Sequence, residues 1–203
     1  MKKLFLVRHG ESKWNSLKKI QGQQDIPLTD KGIQQANLIG NRLIGKEINK
    51  IYSSNLDRAY TTAKIIGNKL KLDVTPMKEF NEINFGIWEG MSYEEIDTKY
   101  YDEFILWRKD PEKLHIEGAE TLNKLQKRAM DGLDRIIYDN NKDNILIVSH
   151  SATIKVMILG LLDIPLSNFK NLTLNNVGLT TIEFRDYNKV LKTLNDVYHI
   201  KGD

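Results

Sequence analysis

Short apolar runs alternate with segments of helical period along the whole chain, and this alternation limits the fold more than any other feature. The runs are KLFLV (3–7), KIYSS (50–54), LDVTPM (72–77) and NILIVS (144–149). Each has the length and apolar character of a buried strand. Between them, Ile33, Ala36, Ile39, Leu43 and Ile44 recur at helical spacing, with Thr29 or Asp30 as N-cap. Ala59, Ala63, Ile66 and Leu70 mark a second helix, and Leu122, Leu125, Ala129, Leu133 and Ile136 a long third one. Ser92-Tyr93-Glu94-Glu95 is a capping-box pattern that predicts a helix running through Trp107. ATIKVMILGLL (152–162) returns as a helix after the fourth run. Pro76 cannot donate to a ladder, so its strand belongs at an edge. NILIVS is almost wholly apolar and belongs at the centre. LTTIEF and VLKTLND, joined by RDYN, read as a closing hairpin.

Strands followed by helices predict a three-layer α/β/α sandwich around a mostly parallel mixed sheet. No repeat, low-complexity stretch or Pro/Gly/Ser linker divides the chain, so residues 1–203 read as one domain. Composition narrows the chemistry. There is no cysteine, which excludes disulfides and thiolate catalysis and is compatible with a reducing compartment. The net charge of +3 comes from 30 basic and 27 acidic residues with no basic run, so neither nucleic acid nor a membrane is an expected partner. Met1-Lys2-Lys3 before LFLV imitates a signal peptide, but Arg8 ends the apolar run too soon. The expected compartment is the cytoplasm.

In open α/β sheets ligands bind outside the carboxyl ends of the strands. After the first strand come Arg8, His9 and Gly10; after the second, Arg58 in the first turn of a helix; after the fourth, Ser149, His150 and Ser151. Two of the four histidines and two arginines thus converge on one edge. Arginines would repel a metal ion, and no metal-ligand spacing surrounds either histidine. Guanidinium forks match phosphate oxygens, and helix N-termini add backbone donors. A neutral His9 is then a nucleophile towards phosphorus, its tautomer fixed by a backbone carbonyl on the other ring nitrogen. Gly10 would let the backbone approach the anion. A carboxyl group must serve the leaving oxygen, and EFNEINFGIWEG (79–90) offers Glu79, Glu82 and Glu89. Spacing does not choose between them.

LVRHGESKWN (6–15) resembles the signature of the histidine phosphatase superfamily, whose best-known branch is the cofactor-dependent phosphoglycerate mutases. The resemblance continues in order through QGQQDIPLTDKGIQQA (21–36), IYSSNLDRAYTTA (51–63), FNEINFGIWEG (80–90) and ILIVSHSATIK (145–155). It implies a phosphoglycerate mutase-like fold. By the same resemblance His9 is the phosphorylated nucleophile, Arg8 and Arg58 are phosphate ligands, and His150 is the second histidine on the phosphoryl group. Glu82 becomes the general acid/base, Asn15 a phosphate contact, and Gln21 and Gly22 line the substrate side. No metal or other cofactor is implied. Ser151 departs from the glycine that usually follows the second histidine and sets a hydroxyl beside the phosphate site. His115 falls in a segment that often covers the pocket mouth, and His199 reads as solvated, as do the remaining lysines and arginines. Trp14, Phe85, Trp88 and Trp107 could shape an apolar pocket wall, but core packing is the simpler reading of each.

The expected activity is hydrolysis of a small phosphomonoester. Two alternatives are a phosphoglycerate mutase and a non-catalytic phosphate-binding regulator. Mutases carry an arginine-histidine-tyrosine run after the acid/base glutamate, where this chain has INFG, and adjacent arginines in an insertion, where Arg108, Arg128 and Arg135 stand apart. A regulator would be expected to lose a catalytic group, and none is missing. The choice of ester and the oligomeric state are not legible in the residues.

Overall fold

A computed structural model describes residues 2–139 and 144–200. Its strands are β1 (Lys2–Arg8), β2 (Lys50–Ser53), β3 (Val74–Pro76), β4 (Ile145–Ser149), β5 (Leu179–Phe184) and β6 (Lys189–Asp196). They form one sheet in the order β3-β2-β4-β1-β5-β6. The β1/β4, β4/β2 and β2/β3 pairs are parallel, whereas β5 runs antiparallel to β1 and β6 to β5. The helices are α1 (Lys13–Ser16), α2 (Asp30–Leu43), α3 (Asp57–Leu70), α4 (Tyr93–Lys99), α5 (Tyr101–Lys109), α6 (Leu122–Asp139) and α7 (Ser151–Leu161). The mixed α/β sheet predicted from the alternation is present.

The period of two along the central strands sorts the core into two layers. Leu4, Leu6, Ile145 and Ile147 point to the face covered by α6 and α7. Phe5, Val7, Leu146 and Val148 point to the other, against Ile39 and Leu43 of α2 and Ala59, Ala63 and Ile66 of α3. All five residues of β4 are buried, as a strand covered on both faces requires. The expected edge strand is an edge, shortened to Val74–Pro76.

The helix expected through Trp107 is broken. Tyr100 leaves the helical region (φ −138°, ψ 47°) and separates α4 from α5. The turn sets Tyr100 and Phe104 both against buried Trp88, at 6.5 and 6.3 Å between ring centroids. Packing around one indole thus overrides local helix periodicity. His199 is half-buried beside Arg42 and Asp196 rather than solvated, and burial lowers its pKa. Among the described residues no helix is long and apolar enough to cross a membrane.

Candidate active site

The parallel register carries the ends of β1, β4 and β2 to one edge. His9 N–H donates to the Ser149 carbonyl at 2.9 Å, and Ser54 N–H to the Val148 carbonyl at 3.0 Å. A cleft of about 370 Å³ opens there, lined by Arg8, His9, Asn15, Gln21, Gly22, Arg58, Glu82 and Ser151 among others. Of the nine residues singled out from the sequence, these eight line it directly. The ninth, His150, is fully buried just behind, with its ring centroid 5.1 Å from that of His9.

Hydrogen bonds fix both imidazoles. His9 Nδ1 lies 2.7 Å from the Gly10 carbonyl, which can only accept, so Nδ1 carries the proton and Nε2 keeps its lone pair. For His150 the logic runs through three residues. Asn55 N–H donates to Asn81 Oδ1 at 3.1 Å, which orients that amide as an acceptor. The Ser54 hydroxyl therefore gives its proton to Asn81 Oδ1 at 2.9 Å and accepts from His150 Nε2 at 2.8 Å. His150 Nδ1 is left buried with no protein partner. Burial holds both rings well below the usual imidazole range, reinforced by Arg58 on each, then by Arg8 on His9 and by the neighbouring His9 on His150. Both are neutral at pH 7.

The two arginines are anchored from behind. Arg8 Nη1 donates to the Leu174 carbonyl at 2.6 Å. Arg58 donates from Nη1 to Gln24 and from Nη2 to Gly22 carbonyls, both at 2.7 Å. Their Nε–H groups are buried without a partner, donors ready for an anion. Burial lowers the pKa of both, Arg58 to about 10, and leaves each charged. Gly22 sits at φ +51°, and a Cβ there would lie 1.9 Å from Glu89 Oε1. Only glycine lets this turn present its carbonyl to Arg58.

The structure separates the three glutamates. Glu79 pairs with Arg135. Glu89 ties two loops together, accepting from Gln23 and Phe85 N–H groups and from the Gln24 amide. Glu82 alone lines the cleft. Its carboxylate accepts from the N–H groups of Ile83 (3.1 Å), Thr153 (3.2 Å) and Ala152 (3.3 Å), the last two at the N-terminus of α7.

Several residues escape a reading by motif. Arg128, expected on a solvated helix face, grips the carbonyls of Glu79, Asn81 and Glu82 and makes a bidentate pair with Glu120. Asn176 donates to the His9 carbonyl at 2.9 Å and to Asn15 Oδ1 at 3.2 Å. Because Asn15 Oδ1 also accepts from Ser12, its amide N–H₂ is free to face the cleft. No local pattern in the sequence marks such a brace, because the carbonyls that Arg128 holds lie 46 to 49 positions away.

Two expectations change. Gly10 does not line the cleft; a Cβ there would meet the Gly32 carbonyl at 2.4 Å, so this glycine serves the close approach of the loop to α2. Phe85 and Trp88 are buried in the core as expected, but half-buried Trp107 belongs to the cleft wall, where it packs edge to face at 5.3 Å on the rim of Phe85. His115 is exposed and away from the cleft lining. Among the described residues no group of three or more histidine, cysteine or acidic side chains is placed to hold a metal ion.

Comparison with known proteins agrees with this geometry. The sequence pattern described as "Histidine phosphatase superfamily (branch 1)" matches residues 4–197. The chain is 33% identical over 200 residues to phosphoserine phosphatase 1 of Hydrogenobacter thermophilus, covering 98% of this chain and 95% of that one. Its fold superposes on YhfR of Bacillus stearothermophilus with a TM-score of 0.93 at 31% identity, over 98% and 100% of the two chains. A phosphoserine phosphatase mutant from Entamoeba histolytica, in complex with phosphoserine, gives a TM-score of 0.87 at 37% identity, again over 98% and 100%.

Proposed function

We propose, from the premise that the chain belongs to the histidine phosphatase superfamily, a two-step route by which it hydrolyses small phosphomonoesters. The enzyme is a phosphoric monoester hydrolase, and the division of labour among its residues is our reading. His9 Nε2 attacks phosphorus, the ester P–O bond breaks, and phosphohistidine forms. Glu82 in its acid form gives a proton to the leaving alkoxide. It then takes one from water, whose oxygen displaces His9 and releases inorganic phosphate. Arg8, Arg58 and Asn15 hold the oxygens of the transferring group, and His150 becomes a further donor once its Nδ1 lone pair takes the proton of the bound phosphomonoester monoanion. Gln21, Gly22 and Ser151 line its approach.

The observation that carries this reading is the His9 ring: a proton fixed on Nδ1 at 2.7 Å from a carbonyl, a free Nε2, and two half-anchored guanidinium groups beside it. The substrate class we favour is a phosphorylated amino or hydroxy acid, supported by the relatives named above. We assign residues 1–203 to one catalytic unit acting on a cytoplasmic metabolite, a reading supported by a sequence without linker-like stretches or cysteine.

The test is phosphate release from phosphoserine and p-nitrophenyl phosphate without added metal, in wild type and His9→Ala. Activity lost in the variant, with a phosphohistidine trapped by rapid quench in the wild type, is the expected result. Undiminished release by His9→Ala would sink the route. Interconversion of phosphoglycerates outpacing hydrolysis would favour the mutase instead.

A further inference from the structure

The cleft carries more positive charge than one phosphoryl group accounts for. Six cations line it (Arg8, Lys19, Arg58, Arg108, Lys155 and Lys170) against a single carboxylate, Glu82. Arg8 and Arg58 flank His9 and suffice for a phosphoryl dianion. Of the other four, one is unlike the rest.

Lys155 sits on α7 one turn beyond Ser151, so both face the cleft. It is half-buried, with Nζ 4.5 Å from the centroid of the Phe169 ring. Among the described residues no hydrogen bond or ion pair holds that ammonium. Its burial lowers its pKa, a sign of incomplete solvation, while Glu82 acts in the opposite sense from across the cleft. An ammonium withdrawn from water without an acceptor is unfavourable unless something else supplies one. Lys170 is already committed, donating to the Lys109 carbonyl at 2.6 Å and so joining the end of α5 to the segment after α7. Exposed Arg108, whose guanidinium lies 4.1 Å from the Phe104 ring centroid, has no hydrogen-bond partner among the described residues.

We propose that Lys155, supported at the mouth by Arg108, forms a second anion subsite that takes a carboxylate carried by the substrate beside its phosphoryl group. The inference rests on the phosphatase reading and sharpens its substrate class. One ammonium matches one carboxylate charge, as two guanidinium groups match a phosphoryl dianion. A cleft of about 370 Å³ leaves room for a short carbon chain between the two anions. Lys155 would therefore determine specificity without acting on the reacting atoms.

The experiment compares two esters that differ in one group. 3-Phosphoglycerate bears a carboxylate where glycerol 3-phosphate bears a neutral hydroxymethyl, and p-nitrophenyl phosphate reports the chemistry alone. We expect wild-type kcat/KM to favour 3-phosphoglycerate over glycerol 3-phosphate by about tenfold or more. Lys155→Met, unbranched and of similar length but without the charge, should shrink that ratio towards one, and Lys155→Arg should restore part of it. Equal losses on both esters in Lys155→Met, or a shifted pH profile with the ratio intact, would overturn the subsite and assign Lys155 to the phosphoryl chemistry. A wild type that hydrolyses p-nitrophenyl phosphate yet does not prefer the carboxylate ester overturns the subsite alone. A wild type inactive on all three overturns the hydrolase reading and the subsite together.

Discussion

On the floor of the cleft His9, Arg58 and His150 are almost wholly buried, and each is fixed by hydrogen bonds to neighbouring backbone or side chains. On its outer wall Arg108 and Lys170 are exposed, Trp107 and Lys155 are half-buried, and aromatic rings supply most of the contacts, beside the one bond from Lys170 to the Lys109 carbonyl. The floor is set by the ends of three paired strands, whose register allows little adjustment. The wall comes from α5, α7 and the segment after α7, held together by ring packing that tolerates change. A rigid floor suits one reaction, and an adaptable wall suits a choice among esters.

If the two regions divide the work in this way, floor variants should depress every ester alike and wall variants should sort them. The largest effect is expected from Arg58→Met. It removes a buried guanidinium beside His9 and frees the carbonyls of Gly22 and Gln24, and on the proposed route kcat/KM should fall about 10²–10³-fold on all esters. A loss confined to carboxylate esters would break the comparison.

Arg128→Met comes next. The guanidinium braces the loop that carries Glu82, and its Glu120 partner is only 15% exposed. Removing it should lower stability by about 2–3 kcal/mol in a urea titration. It should also reduce kcat with little change in KM, because Glu82 loses its support. An unchanged urea midpoint would show that the loop stands without the brace.

The floor histidines also predict a pH dependence of stability. Unfolded, each binds a proton below about pH 6.5, whereas folded His9 and His150 stay neutral until well below that value. The unfolded chain therefore binds more protons in that window, and stability falls as the pH drops through it. Above about pH 6.5 both forms are neutral and the contribution is flat. The slope should reach about 1.4 kcal/mol per pH unit per histidine. Urea midpoints at pH 7.5, 6.5 and 5.5 measure it, and His9→Asn should remove its share.

The smallest effect belongs to the wall. Trp107→Ala should change KM by less than about tenfold, by different factors for different esters, and leave kcat for p-nitrophenyl phosphate within about threefold. A uniform collapse of kcat would mean that the wall reaches the chemistry.

The sequence by itself determined the alternation of strands and helices, the central place of NILIVS and the edge place of the Pro76 strand. It also determined that His9, Arg58 and His150 stand where strands give way to loops or helices. Those features follow from local periodicity and from residues whose neighbours in the chain are their neighbours in space. The resemblance singled out Glu82 where spacing left three glutamates open, and the structure places that one in the cleft. What only the tertiary structure decided depends on contacts between distant segments: the break at Tyr100 around Trp88, the grip of Arg128 on residues 46 to 49 positions away, and the Asn176 bond to Asn15 across 161 positions. The unpaired Lys155 belongs with them. A lysine on an apolar helix looks like any solvated charge until folding sets it over Phe169 with no ion-pair partner among the described residues.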